Sequence, residues 1–504
     1  MGETWLLKNG AVLDGTGRPT VHADVLIRDG RIETMGNVGG LEAPSIDCSG
    51  LTVAPGFIDA HTHSDLQVLE TRNDKTLQGV TTEVIGNCGF SAYPPAQDPR
   101  ELREFANGIF CGDDDWGWPS SEAYLRAIER SASVNAVSLV GHGTLRIAVA
   151  GNRQGRLSQA EVDRMCGLLE EAFAAGAAGF STGLMYAPGS SAPADELEGL
   201  CRVVAKHGKV YTSHIRSYFG DLVPAIKEQE SLARSSGCRL QISHLQAVGA
   251  ANWPEHPKAI DAIEKAAAEG VDIAFDCYPY VAGSSVLTQL LPQAVLDGGT
   301  AAMLARLTDP AERSPIAAQV TSTIAWRWQD VYISAVGSQA NGGAVGRNLQ
   351  QIAEERSCAP VDVLIDLIVE ERGEVNMISF NQSEDNLRLS LAHPLAIVIS
   401  DGFYVRGRPH PRLHGTFPLL LGTISRKRGW LSLAEAVHKI TQRPAERFNM
   451  RGRGTLAPGQ WADVTVFDAG EVDSPASYEQ PELPPVGIRY VFRNGKLQLG
   501  PRPS

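Results

Sequence analysis

The chain has 504 residues, 43% of them hydrophobic, with a formal net charge of -13. That length exceeds one typical domain and can bury a large core, so one big domain with a smaller companion is the simplest organisation. The acidic balance argues against nucleic acid or an anionic membrane as partner, and small neutral or charged metabolites remain open.

In chain order, residues 5 to 53 hold short β-like pieces such as Trp5-Leu6-Leu7-Lys8 and Asp24-Val25-Leu26-Ile27, punctuated by the hairpin dipeptides Asn9-Gly10 and Asp29-Gly30. The far end repeats this style in Asp463-Val464-Thr465-Val466-Phe467, Arg489-Tyr490-Val491-Phe492 and the turn Asn494-Gly495. Either piece is short for an independent antiparallel sheet, so the two termini are expected to pair into one small β-sandwich or β-barrel domain, 1–54 plus 450–504. Between them, β-like runs alternate with helical stretches such as Ala160 to Ala175 and Asp195 to Lys206. The runs are Gly56 to Ala60, Thr81 to Ile85, Ala136 to Val140, Ala177 to Ser181, Lys209 to Thr212, Arg239 to Ser243, Val271 to Phe275 and Ala396 to Ser400. Eight strands alternating with helices predict an α/β fold, a (β/α)8 TIM-like barrel over 55–449. The gap before the eighth is too long for a simple crossover and predicts an inserted subdomain at about 281–386. Its strand-like Asn376 to Phe380 competes with the seventh and eighth assignments.

No apolar run approaches the roughly 18 residues that span a bilayer, and Met1-Gly2-Glu3-Thr4-Trp5 lacks the basic start of a secretion signal. The expected compartment is the cytoplasm. Eight cysteines scattered without paired spacing read as reduced thiols.

The chemistry gathers at predicted strand ends. His61 and His63 are two apart in an extended segment, so both face one side and can reach one ion. His214 and His244 each end a β-like run after a serine, and Asp401 follows the eighth run. In a closed barrel these ends meet at one rim, where such barrels build active sites, and imidazoles with a carboxylate suit a transition metal. Satisfied core histidines and a loop-capping aspartate are the competing readings. Cys88 lies between glycines after the second run. As a thiolate it is a strong zinc ligand, and otherwise it is a small buried hydrophobe.

The segment Val53 to Asp65, with its His61-Thr62-His63, resembles the first-strand motif of the amidohydrolase superfamily. Gly86-Asn87-Cys88-Gly89, Gly183 to Gly189, Ser213-His214-Ile215-Arg216, Ser243-His244-Leu245, Ser400-Asp401-Gly402 through Arg412, and Gly454 to Asp463 resemble its N-acyl-D-amino-acid deacylase (D-aminoacylase) branch, nearly end to end. The resemblance implies a tight zinc on Cys88, His214 and His244, with a second, weaker position on His61, His63 and Asp401. Relatives outside the branch bridge two metals with a modified lysine on the fourth strand, and Ala177 to Ser181 contains none.

The implied reaction is zinc-dependent amide hydrolysis of N-acyl amino acids, in particular the D forms, in which Asp401 takes the proton of the attacking water and passes it to the leaving nitrogen. Tyr186 and Arg412 are expected to contact substrate, the latter as a carboxylate fork, and His142 after the third strand is expected near the reacting carbonyl. The family's lysine two residues after the sixth-strand histidine is Gln246 here, so a charge-assisted contact becomes an ordinary hydrogen bond. Arg216, Arg406 and Arg408 are candidate replacements. The expected partners are a small-molecule N-acyl substrate and, as an option, further copies of the chain. A cyclic-amide hydrolase of the hydantoinase or dihydroorotase type, and a barrel that has lost catalysis and serves in binding or assembly, are the competing functions.

Overall fold

The eight runs predicted to be strands form one parallel sheet in the computed structural model, which describes residues 3–39, 43–112, 115–131, 133–325 and 327–501. The strands are Phe57–Asp59, Val80–Ile85, Asn135–Gly141, Gly179–Gly183, Val210–His214, Arg239–Ile242, Ile273–Cys277 and Ala396–Val398, each paired with the next in this order. Closure between the eighth and the first passes through a parallel bridge from Thr62 to Gly402, just beyond both strands. Strand residues such as Phe180, Tyr211, Leu240 and Phe275 are fully buried, as expected where helices cover the outside of a parallel sheet.

Local chemistry starts the helices. Ser158 accepts from the Glu161 N–H while the Glu161 carboxylate returns a bond to Ser158, a capping box that opens helix Gln159–Ala174. Helix Ala194–Lys206 begins with Asp195 and Glu196, which favour the positive end of its dipole. Both fall within a residue or two of the predicted helical stretches.

The termini meet in a second eight-stranded sheet, where Thr52–Pro55 pairs antiparallel with Val464–Phe467 and Thr4–Val12 pairs with Val21–Arg28. It has its own core of Leu7, Val25, Ile27, Val53, Val464 and Phe492. Two details correct the expectation of a purely antiparallel, hairpin-punctuated sheet. Thr4–Val12 pairs in parallel with both Ser45–Asp47 and Thr52–Pro55. Asn9-Gly10 lies inside the first strand as a bulge, with Asn9 at φ 60° and its N–H bonded to the Asp24 carboxylate, whereas Asp29-Gly30 and Asn494-Gly495 do turn hairpins. Met1, Gly2 and 502–504, at the outer ends of the terminal segments, lie outside the described residues.

Between the seventh and eighth barrel strands the chain forms a three-stranded antiparallel sheet with Val375–Phe380 at its centre. The competing strand candidate therefore belongs to this subdomain. Helices Gly299–Thr308, Pro310–Thr323, Leu349–Arg356 and Pro360–Glu370 share a separate core with it, including Leu307, Ile333, Leu364 and Ile368. Among the described residues no helix is long and apolar enough to cross a membrane.

His256 ties helix Glu255–Ala268 to helix Glu384–Ala392 through the Ser390 hydroxyl at 2.8 Å. Burial lowers its pKa to about 4, against a small opposing contribution from Asn386. The unfolded chain takes up this proton near pH 6.5 and the folded chain only near 4, so the stability involved, about 3 kcal/mol, is present above 6.5 and lost as pH falls towards 4. We expect His256→Gln to lose melting temperature less steeply than the parent between pH 6.5 and 4.5. Parallel slopes in thermal denaturation would contradict this.

Candidate metal centre

Five barrel strands deliver side chains to one point. His61 and His63 follow the first, Cys88 the second, His214 ends the fifth, His244 follows the sixth and Asp401 the eighth, and all six are buried. Cys88 Sγ lies 3.3 Å from His61 Nε2 and 3.4 Å from His244 Nε2. Asp401 Oδ1 lies 3.4 Å from Nε2 of both His61 and His63. Three overlapping sets of donors come within 4.8 Å of one another, namely Cys88 with His214 and His244, His61 with His63 and Cys88, and His61 with His244 and Asp401.

Electrostatics and strain mark the same residues. Burial alone would raise the Cys88 thiol, but the charges of His61 and His244 and their hydrogen bonds hold it well below its ordinary value, as a thiolate. Asp401 is likewise pushed up by burial and held well below the carboxylate range by Arg412, whose Nη1 is 2.9 Å from Oδ2, and by His63. Burial lowers His63, and the opposing pull of Asp401 and Cys88 raises it to about 9. Cys88, His244 and Asp401 have φ of 52°, 34° and 50°, a left-handed backbone that side chains rarely adopt and that concentrates at functional sites. Gly86 must be glycine, since a Cβ there would lie 2.2 Å from the Leu139 carbonyl oxygen.

These donors fit a metal ion. Neither ring nitrogen of His214 has a partner in hydrogen-bonding geometry although both are buried, a costly arrangement for a polar group unless an ion takes the lone pair. A thiolate with two imidazoles is a donor set suited to zinc.

The surrounding cavity, about 670 Å³ of atom-free space partly open to solvent, is lined by the predicted Tyr186, Gln246 and Arg412. Burial first, and then the Cys88 charge, raise the Tyr186 hydroxyl, which stays a hydrogen-bond donor. The Arg412 guanidinium lies 4.7 Å over the Tyr278 ring. The Gln246 Oε1 accepts from the Tyr278 hydroxyl at 2.9 Å, and that hydroxyl accepts from Gln382 Nε2 at 2.8 Å.

Other expectations are corrected. His142 does not line the cavity: it is fully buried at the start of helix His142–Ala150, with Nε2 2.8 Å from Glu196. Arg216 is spent on Glu228 and the carbonyls of Ser190 and Ala192, and neither Arg406 nor Arg408 lines the cavity. His410 secures the loop, donating to the Ala282 carbonyl and accepting the Arg412 N–H, both at 3.0 Å.

Two functional neighbours escaped the sequence. Asp276 accepts the His244 N–H at 2.6 Å and the Gln241 amide at 3.0 Å, and stands 3.5 Å from His61 Nδ1. Its signal was a carboxylate inside the apolar seventh strand. Tyr218 donates to the Ser243 carbonyl at 3.0 Å, with its ring about 5 Å from those of His214 and His244. Nothing in its local sequence distinguishes it.

Comparison with known proteins agrees with this geometry. A profile of the amidohydrolase family matches residues 45–498. The D-aminoacylase of Alcaligenes xylosoxydans xylosoxydans is 36% identical over 496 residues, covering 97% of this chain and 93% of that protein. The crystal structure of N-acyl-D-glutamate deacylase from Bordetella bronchiseptica, complexed with zinc and a phosphonate mimic of the tetrahedral intermediate, superposes with a TM-score of 0.86 at 34% identity, covering 99% of this chain and 98% of that one. A crystal structure of D-aminoacylase gives 0.84 at 34% identity, covering 99% and 97%. The chain belongs to the amidohydrolase family, within its D-aminoacylase branch.

Proposed function

We propose that the chain is a zinc-dependent deacylase that hydrolyses N-acyl-D-amino acids or closely related small N-acyl compounds. The observation that carries this reading is the convergence of the Cys88 thiolate with His214 and His244 beside an ionised Asp401. Cys88, His214 and His244 would hold one ion tightly, and His61, His63 and Asp401 a second, weaker one. When bound, zinc supplies Lewis acidity that polarises the scissile carbonyl and lowers the pKa of water from about 15.7 towards about 7.

The protein's own groups do the rest. Asp401, ionised across the neutral range, accepts the proton of the attacking water on a carboxylate oxygen and delivers it to the leaving amide nitrogen, which departs as an amine only once protonated. Tyr186 donates a hydrogen bond to the developing oxyanion. Arg412, fixed by Asp401 on one side and the Tyr278 ring on another, holds the carboxylate of the amine half. Gln246, its carbonyl engaged by Tyr278, turns amide N–H groups towards the same half as neutral donors. The cyclic-amide alternative is less well supported, since the fourth strand Gly179–Gly183 contains no lysine and the donor set contains a cysteine. An inactive barrel has no chemical need for the strained, buried donor set.

Removal of metal with a chelator is expected to abolish hydrolysis of N-acetyl-D-amino acids, and readdition of zinc to restore it. Full activity after verified metal loss would refute the reading. Asp401→Asn should lower kcat by 10²- to 10⁴-fold, the usual worth of a positioned acid–base group. A residual rate near that of the parent would remove Asp401 from proton transfer. Gln246→Lys should raise kcat/KM for substrates with a carboxylate on the amine half by about tenfold, since a charge-assisted bond is roughly twice as strong as a neutral one. An equal change for neutral amides would place that carboxylate elsewhere.

A further inference from the structure

A second chamber opens beside the metal cavity and is the larger of the two, with about 890 Å³ of atom-free space partly open to solvent. Ile109, Met185, Tyr186 and Gln289 line both, so the two are contiguous. The shared residues pair the apolar Ile109 and Met185 with Tyr186 and the polar Gln289. Cys88, Phe90, Ile109 and Val286 pack in one hydrophobic cluster, and Phe90 stacks on Phe105 with ring centroids 4.5 Å apart, so a continuous apolar wall leads outward from the thiolate. Leu296, Thr300 and Met303, from the subdomain before the eighth strand, form the opposite wall. The charged lining residues Glu104 and Arg372 are exposed at the rim.

The chamber is built rather than left over between packed pieces. Gln293 Nε2 donates to the Met185 carbonyl at 2.7 Å and Asn376 Nδ2 to the Gly108 carbonyl at 2.6 Å, which pins the subdomain to the barrel rim on either side. The polar groups of the metal cavity, Arg412, Gln246 and Tyr278, have no share in the chamber lining. A substrate spanning both spaces therefore places its carboxylate-bearing amine half by Arg412 and its uncharged half along the Phe90 wall.

We propose that this chamber holds the alkyl tail of a medium- or long-chain N-acyl group, so that the substrate is an N-fatty-acyl amino acid rather than an N-acetyl one. The inference rests on the deacylase reading and deepens it. The tail takes no part in bond breaking. It contributes by burying methylenes against Phe105, Val286 and Leu296, each favourable by about threefold to fourfold in binding when fully buried.

The test measures kcat/KM of the zinc-loaded full-length protein for N-acetyl, N-butyryl, N-octanoyl and N-decanoyl derivatives of one D-amino acid. It repeats the series with Thr300→Trp and Leu296→Trp, two half-buried wall positions where a large ring fills the chamber. The expected result is a rise of at least a hundredfold from acetyl to octanoyl, with each variant cutting the octanoyl-to-acetyl ratio at least tenfold. Hydrolysis of the acetyl substrate with no gain from chain length overturns the chamber assignment and leaves the deacylase reading standing. So does an octanoyl-to-acetyl ratio that neither variant changes. Failure to cleave any member of the series overturns both.

Discussion

The site depends on the eighth barrel strand meeting the first. That junction has no ladder of its own beyond one bridge, and it is held instead by crossing bonds. The Asp401 N–H donates to the His61 carbonyl and the His63 N–H to the Gly402 carbonyl, both at 2.9 Å. One turn deeper, Asp59 accepts the Ser400 N–H at 3.0 Å and the Lys75 ammonium at 2.8 Å. Asp59 and Lys75 are buried, so loss of Lys75 leaves the Asp59 carboxylate without its cation in the core, a defect of several kcal/mol. Through this closure the carboxylate of Asp401 comes to stand between two imidazoles that precede it by more than three hundred residues.

A balance of charge lets so many polar groups share a buried space. Burial lowers both His61 and His63, and nearby anions hold each above the ordinary imidazole pKa, Cys88 and Asp276 for His61 and Asp401 and Cys88 for His63. An ion binding to these residues must displace their protons, so affinity rises with pH until the imidazoles are neutral. The left-handed backbone at Cys88, His244 and Asp401 costs about 1–3 kcal/mol at each position. The surrounding structure pays for this with bonds such as that from the His244 N–H to Asp276. Asp276 thus orients one imidazole from the backbone side while standing close to another.

Much of this was legible in the sequence because a parallel barrel repeats a strong local pattern. Eight buried, β-branched or aromatic runs alternate with helical segments, and the strand ends carry the unusual residues. Cys88, His214, His244, His61, His63 and Asp401 could be grouped in advance, since any closed barrel brings its strand ends to one rim. What escaped depends on pairings that local sequence does not record. Asn9-Gly10 carries a hairpin signature, yet its positive φ serves a bulge because the strand continues to pair on both sides. His142 looks like a rim residue, but the helix that begins at it turns the imidazole towards Glu196. The chamber beside the metal cavity draws its walls from segments around Phe105, Met185, Leu296 and Arg372, and it exists only once the subdomain is fastened to the rim.

The central claim is that the Cys88 sulfur is a metal ligand together with His214 and His244. The most direct measurement is the near-ultraviolet spectrum of the protein loaded with one equivalent of cobalt(II), which reports a thiolate bound to the ion through a sulfur-to-metal charge-transfer band. The band should be present in the parent and in Cys277→Ser, whose thiol lies in the core, and absent from a folded, cobalt-binding Cys88→Ser. A parent spectrum without the band, or a Cys88→Ser spectrum that retains it, would contradict the account.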